Sequence, residues 1–227
     1  MNVAKMHAVF SQSLQNDHNL TDAIPSFDID YYLTEGERRV FENYYKLFET
    51  DEKARKVLNN LVVSTDLDRT NVVNKTGTYP NGEFWRLPTL LAYTLKEEAT
   101  INLNACEELT INSNDFLRVY TKPINLDYYS KNISNPFKKP YSGMVWRLDV
   151  SNLDAKLHML VTGGTYRVQI YHLTYLSYPV GISINSGISS SLSEVVHQDI
   201  VDEAVKIALE TIVTNNKLKQ TNNGSTQ

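Results

Sequence analysis

The residues able to do acid–base, nucleophilic or metal chemistry in this chain are few and poorly spaced for it. The histidines are His7, His18, His158, His172 and His197. His158 and His172 fall in successive strand patterns, and facing each other across a hairpin they would offer two imidazoles to a metal. The plainer reading is half-buried strand residues, and it is the one adopted. His197, Asp199, Asp202 and Glu203 put nitrogen and oxygen donors on one helix. Helical spacing spreads them over more than one face, which is the pattern of a solvated surface. Asp66-Leu-Asp68-Arg-Thr-Asn71 alternates carboxylates like the start of a calcium loop, yet lacks the glycine and the distal Glu. It reads as a helix exit leading into a strand. Glu83, Asp149 and Asp154 are the acids left for a hydrolase-type carboxylate pair, which needs a fixed separation in a pocket and perturbed acidities.

Cys106 is the single cysteine, so no internal disulfide or cysteine-based metal knuckle is possible, and it reads as a small strand or loop residue. The chain contains no phosphate-binding glycine loop, no HExxH and no GxSxG. The expectation is a protein that is not an enzyme and that needs neither cofactor nor metal.

Asn135-Pro-Phe-Lys-Lys-Pro-Tyr141 is the most unusual local sequence. Its prolines bracket one aromatic and two cations in a stiff, extended presentation. Phe137, Lys138, Lys139 and Tyr141 are therefore the candidate interface. Three readings stay open: a rigid loop whose Phe137 packs back on a sheet, a docking loop that inserts into a partner, and a phosphate or nucleic-acid contact.

Composition narrows the class. The net charge is −4, from 22 basic against 26 acidic residues, without the clustered basic face that gripping nucleic acid requires. Hydrophobic residues make up 41% and charged ones 21% of the chain, which is globular rather than disordered. No window approaches 18 apolar residues, so no membrane span is expected. Met1–Lys5 lack the basic head and apolar run of a signal peptide, and a reducing cytoplasm, or an assembly built there, is the expected setting. The chain holds 14 Tyr against 7 Phe and 2 Trp. Tyr suits half-exposed strand positions and surfaces half buried against a partner.

Three kinds of element must position these residues. Residues 1–65 read as helices. Val3, Met6, Val9, Phe10 and Leu14 form one stripe, then Ile29, Leu33, Val40, Phe41, Tyr44 and Phe48 form a second. Thr34 and Glu37 make a capping-box pair around Gly36, so either one long helix starts near Asp28 or a second begins at Thr34. Thr50 is the candidate cap of a third helix carrying Ala54, Val57, Leu58, Leu61 and Val62. Residues 66–190 read as β-rich. Alternation appears at Ala99–Leu103, Leu109–Ile111, Phe116–Tyr120, Val145–Val150, Leu157–Val161 and Thr165–Leu176. The last run changes phase between Ile170 and Tyr171, the mark of a bulge or of burial on both faces. Thr162-Gly163-Gly164 reads as a hairpin turn. Residues 125–141 form a long polar loop without strand pattern, of the kind that serves function or a partner. Residues 191–213 read as an amphipathic helix opened by a Ser191/Glu194 capping box, and 214–227 as a polar tail disordered in isolation. The fold class is thus α+β, with N-terminal helices, a central antiparallel or mixed sheet and a C-terminal helix packing alongside.

Phe48-Glu49 with the charged helix and Leu61-Val62 after it, the Asn135–Tyr141 loop, Trp146-Arg147-Leu148-Asp149, Tyr171–Pro179 and His197–Glu210 occur here in order. As a set they resemble neck ring proteins of crAss-like bacteriophages, over about residues 28 to 212. The last two segments are also similar to a broader pattern of head-to-tail adaptors and tail tubular proteins, although Gly187–Glu194 lacks the Leu-Pro of that pattern. The resemblance implies a virion protein without catalytic residues that forms a ring, of about twelve copies, between portal and tail. Its implied partners are itself, the portal and adjacent neck or tail proteins, with DNA passing through the channel unbound and no membrane involved. The alternative is a tail-associated binding module with Tyr-rich strands as a carbohydrate- or receptor-facing surface.

Overall fold

The computed structural model describes residues 1–18, 24–73, 79, 81–103, 116–151, 156–164 and 166–223. Within them lie helices α1 (Val3–His18), α2 (Ser26–Lys46), α3 (Glu52–Leu58), α4 (Leu126–Asn132) and α5 (His197–Asn223). The strands are β1 (Val62–Leu67), β2 (Val72–Val73), β3 (Gly82–Arg86), β4 (Leu91–Asn102), β5 (Phe116–Pro123), β6 (Met144–Asp149), β7 (Leu157–Val161) and β8 (Arg167–Ser177). The α+β class holds. The chain divides into a helical unit, Met1–Val62 with Tyr178–Gln227, and a sheet unit, Val63–Ser177.

In the helical unit the apolar stripes meet one another. Met6, Phe10 and Leu14 of α1, Ile29, Leu33, Val40 and Phe41 of α2, Ala54, Val57 and Leu58 of α3, and Ile200, Val201, Ala204 and Ala208 of α5 are all buried. Helices α2 and α5 touch at Gly36, where a Cβ would stand 2.6 Å from the Ile200 carbonyl oxygen and 2.9 Å from the Ala204 nitrogen. This is why a glycine sits inside a helix, where it otherwise costs about 1 kcal/mol relative to Ala.

The capping boxes do not form. Of the two readings for Asp28–Thr34, one long helix is correct: α2 runs from Ser26 through Thr34 without a break. Thr34 Oγ1 instead accepts from the Ile182 N–H at 3.0 Å. Glu37 is buried and accepts from Ser190 Oγ at 2.7 Å and Ser191 N–H at 2.8 Å. The second box fails for the same reason, since Ser191 Oγ accepts from the Val180 N–H at 3.3 Å and a 3-10 turn over Glu194–Val196 precedes α5. The α3 cap is Asp51, one residue after the expected Thr50, accepting from the Lys53 N–H at 2.8 Å. Helix α5 continues past Val213 to Asn223. Once a packed segment has nucleated a helix, adding residues costs little.

The sheet unit carries eight strands in the order β1-β8-β4-β5-β6-β7-β3-β2. The pairs β2–β3, β3–β7, β4–β5, β4–β8 and β6–β7 are antiparallel, and β5–β6 is parallel. A parallel pair demands a crossover rather than a tight turn. The segment read as a structureless loop supplies it: α4 lies in its middle, with Asn125 accepting from the Tyr128 N–H as its cap and Tyr129 and Asn132 buried.

The sheet curls. Leu67 of β1 and Trp85 of β3 belong to strands far apart in the order, yet share one core with Ala99, Ile101, Val119, Val145, Leu160 and Tyr171. Arg69 fastens the curl, reaching Glu83 on β3 at 2.8 Å and also donating to the Val168 carbonyl on β8. The opposite face carries Phe84, Met144, Trp146, Leu148, Met159 and Val161, clustered with Tyr129 of α4. Every residue of β7 is buried as a result.

The phase change in β8 is a bulge. Thr100 pairs with Ile170 and Ile101 with Val168, leaving Gln169 as the extra residue. The hairpin at Gly163-Gly164 is not found, because β7 pairs with β3 and β6 while β8 lies between β1 and β4. A glycine turn reverses the chain but does not choose the strand's neighbour. Strand β1 also begins at Val62, inside the region read as helical. Leu109–Ile111, Cys106, Asp154 and Thr165 lie outside the described residues.

Candidate interaction surface

Beyond α4 the chain is bound to itself at both ends of a short projection. Asn135 Oδ1 accepts from the Phe137 N–H at 3.0 Å, and the Asn135 carbonyl accepts from Lys138 at 3.1 Å and Lys139 at 2.9 Å. Such an Asx turn needs a short polar side chain just there, and Pro136 fixes the backbone within it. At the far end Pro140 is buried, and its carbonyl accepts from Tyr166 Oη at 3.4 Å. Between these anchors Phe137 is 96% exposed and does not pack back on the sheet. Lys138 and Lys139 are exposed beside it. Tyr141, 57% exposed, lays its ring edge over Gly143, where a Cβ would meet Cε2 at 2.8 Å. It hydrogen-bonds Tyr120, and that bond, followed by burial, holds the Tyr120 hydroxyl above the usual phenol range. Tyr120 also contacts Met144 Sδ at 2.9 Å. The structure thus brings Phe137, Lys138, Lys139 and Tyr141 together on one held loop, and adds Tyr120, which the sequence pattern assigned only to a strand.

A second exposed aromatic surface lies within the helical unit. Phe27 and Tyr31, one turn apart on α2, are 78% and 58% exposed. They line a groove of ≈ 490 Å³ with Asp30, Thr34, Ile182 and Asn185. Its walls are pinned to each other, since Asp30 accepts from the Ile184 N–H at 3.0 Å and Thr34 accepts from Ile182. Asp30 is also 2.7 Å from His7 Nε2.

The chemical candidates are occupied elsewhere. His158 and His172 lie on strands that are not neighbours. His172 contacts Asp66 at 2.6 Å and Thr100 at 2.8 Å. His197 Nε2 is 3.2 Å from the Leu192 carbonyl. Asp199 accepts from Tyr44, Asp202 from Gln198 and Glu203 from Lys206. Asp68 caps the turn Arg69–Asn71 by accepting from the Thr70 N–H, and Asn71 donates to it. Glu83 is held by Arg69 and Arg167. Asp149 accepts from the Ser151 N–H at 3.0 Å; burial opposes its charge, but the Ser151 bonds outweigh that and hold its pKa below the usual carboxylate range. Among the described residues no group of three His, Cys, Asp or Glu could hold a metal ion, and no helix is long and apolar enough to cross a membrane. Tyr129, Tyr171 and Tyr175 are buried, so they offer no aromatic platform to a sugar.

One cluster escaped sequence reasoning. Inside the curled sheet, Arg147 lies 3.1 Å from Glu97, and Tyr171 Oη donates to Glu97 at 2.7 Å. With its one hydrogen given to Glu97, Tyr171 accepts from His158 Nδ1 at 2.8 Å. Burial, then the charge of Arg147, pushes the His158 pKa down to about 4. Burial and Glu97 push the Tyr171 phenol far up. The signal available was Arg147, a charge at an inward strand position between Trp146 and Leu148. The four groups bond to one another in a single buried network, which is the arrangement of a specific core.

Against known proteins, a family model described as phage tail ring protein 3/4 matches residues 15–222. No curated protein matches the chain.

Proposed function

The chain belongs to the phage tail ring protein 3/4 family, and from that premise we propose that it is a non-enzymatic subunit which closes with copies of itself into a ring in the portal-to-tail neck of a short-tailed phage. The ring, of about twelve copies on the resemblance noted above, acts as an assembly adaptor between portal and tail and as a conduit for the genome. The observation that carries this reading is Phe137, 96% exposed on a loop tied down at both ends. Burying a Phe side chain gains about 1.5–3 kcal/mol, and a chain that forgoes this while holding the loop rigid has its burial partner outside itself. Phe137, Lys138, Lys139 and Tyr141 are the proposed contact. A net charge of −4 suits a channel that must release DNA, since a basic lumen retains counterion-stripped phosphates. Native mass spectrometry of the full chain, alone and with the cognate portal, tests the reading. A closed oligomer is expected, and tagged subunits should appear as a ring in images of virions. A chain that stays monomeric in both conditions and never enters particles refutes it.

A further inference from the structure

Resting on the ring reading, we infer that the Phe137 loop of one copy seats in the α2 groove of the next copy, with Phe137 between Phe27 and Tyr31 and the two lysines against the acidic flank of that helix. A closed ring requires two different patches on every subunit, one for each neighbour. The loop is one such patch, and the groove has the features of the other. Its ≈ 490 Å³ falls within the size of pockets that receive a side chain or small ligand. Its exposed surfaces are aromatic, which suits edge-to-face or offset packing with a third ring. Hydrogen bonds from Ile182 and Ile184 to Thr34 and Asp30 hold it open in advance, so little ordering is needed when it fills.

Charge complementarity identifies the occupant. Between Lys5 and Arg38 the chain has no Lys or Arg, while Asp28, Asp30 and Glu35 lie along α2. Phe27, Tyr31 and Glu35 recur at four-residue spacing, so an acid continues the aromatic stripe. The docking segment is the reverse: between Asp127 and Asp149 it has no acid, and Lys138 and Lys139 follow Phe137 directly. An aromatic tip with two cations behind it meets an aromatic groove with acids along its rim. Opposite charges of this kind set register and partner choice more than raw affinity.

The test places the photo-cross-linking residue p-benzoylphenylalanine at position 137 of the full chain. The expected product is a dimer-mass species whose peptide map joins residue 137 to residues 26–35 or 182–186. A charge swap provides the second arm. K138E/K139E should raise the assembly dissociation constant about tenfold or more, and adding D28K/E35K should recover most of that loss. Cross-links confined to the monomer, cross-links to another segment, or a swap without recovery overturn the inference. If the wild-type chain still forms its closed oligomer, such results leave the ring reading standing. A wild-type chain that never oligomerises, with or without portal, removes both.

Discussion

Replacing Gly36 by alanine should weaken the helical unit, although the same change in an isolated helix would strengthen it. The added methyl would stand 2.6 Å from the Ile200 carbonyl oxygen, 2.9 Å from the Ala204 nitrogen and 3.1 Å from the Ala204 Cβ. Ordinary contact for a Cβ begins near 3.4 Å, so α2 and α5 must separate by the better part of an ångström. Two of the three obstacles are backbone, which no rotamer change relieves. Overpacking of this kind costs about 1–3 kcal/mol, and separating two packed helices belongs at the upper end. The propensity gain of alanine over glycine returns about 1 kcal/mol. The net expectation is a loss of about 2 kcal/mol, or roughly 4–8 °C in melting temperature for a domain of this size. Gly187 is the matched control. It has φ +67° and nothing within 4 Å of an added Cβ, so Gly187→Ala pays backbone strain alone, about 1 kcal/mol. Urea unfolding followed by far-ultraviolet circular dichroism measures both variants. A Gly36→Ala chain as stable as the parent would refute the close approach of α2 and α5.

Other outcomes follow from the buried network and the loop. Glu97→Ala strands Arg147 in the sheet interior without its carboxylate and should cost about 3–5 kcal/mol; a loss under about 1 kcal/mol in the same urea assay would show that the pair is solvated. His158 has its pKa depressed to about 4 from the unfolded 6.5, so its contribution to stability is complete above pH 6.5 and is lost as the pH falls towards 4. Between pH 7 and pH 5 this amounts to about 2 kcal/mol. The pH-dependent part of the urea midpoint should shrink accordingly in His158→Gln, and an unchanged pH profile in that variant would rule out His158 as its source. Phe137→Ala should leave the melting temperature unchanged, within about 0.5 kcal/mol for an exposed side chain, while abolishing or weakening the oligomer that the proposed function expects in native mass spectrometry. A variant that melts early and still assembles would reverse the assignment of Phe137.

The helices of the first unit were legible because their apolar stripes are long: Ile29, Leu33, Val40 and Phe41 recur through a helix that tertiary contacts then bury. Strands β6 and β7 were legible by their alternating pattern. Capping boxes misled where a polar residue had a distant partner, as Glu37 has in Ser190 and Ser191, since local spacing carries no record of a contact so far along the chain. Helix α4 was missed because it is seven residues long and buries only Tyr129 and Asn132, too little to write a periodic stripe. The start of β1 was hidden by Leu61 and Val62, which continue the spacing of α3 by coincidence. Neither the strand order nor the Glu97–Arg147–His158–Tyr171 network is visible locally, because its members come from four strands that meet only when the sheet curls. The candidate loop was legible as a composition, prolines around an aromatic and two lysines. Whether Phe137 turned inwards or outwards was decided by the Asn135 turn and the buried Pro140.

The helical unit is drawn from both ends of the chain, whereas the sheet unit is one uninterrupted stretch. During synthesis the sheet can therefore fold while the ribosome is still making residues 178 onwards, but α1 and α2 must wait for α5 to emerge. The wall of the α2 groove, at Ile182, is translated only after the whole sheet unit. A prematurely terminated chain can display its Phe137 loop yet offers no completed groove to a neighbour. On the docking proposed above, such a fragment takes one place beside a finished subunit but cannot pass the contact on, so the proposed ring closes only from chains that carry both units.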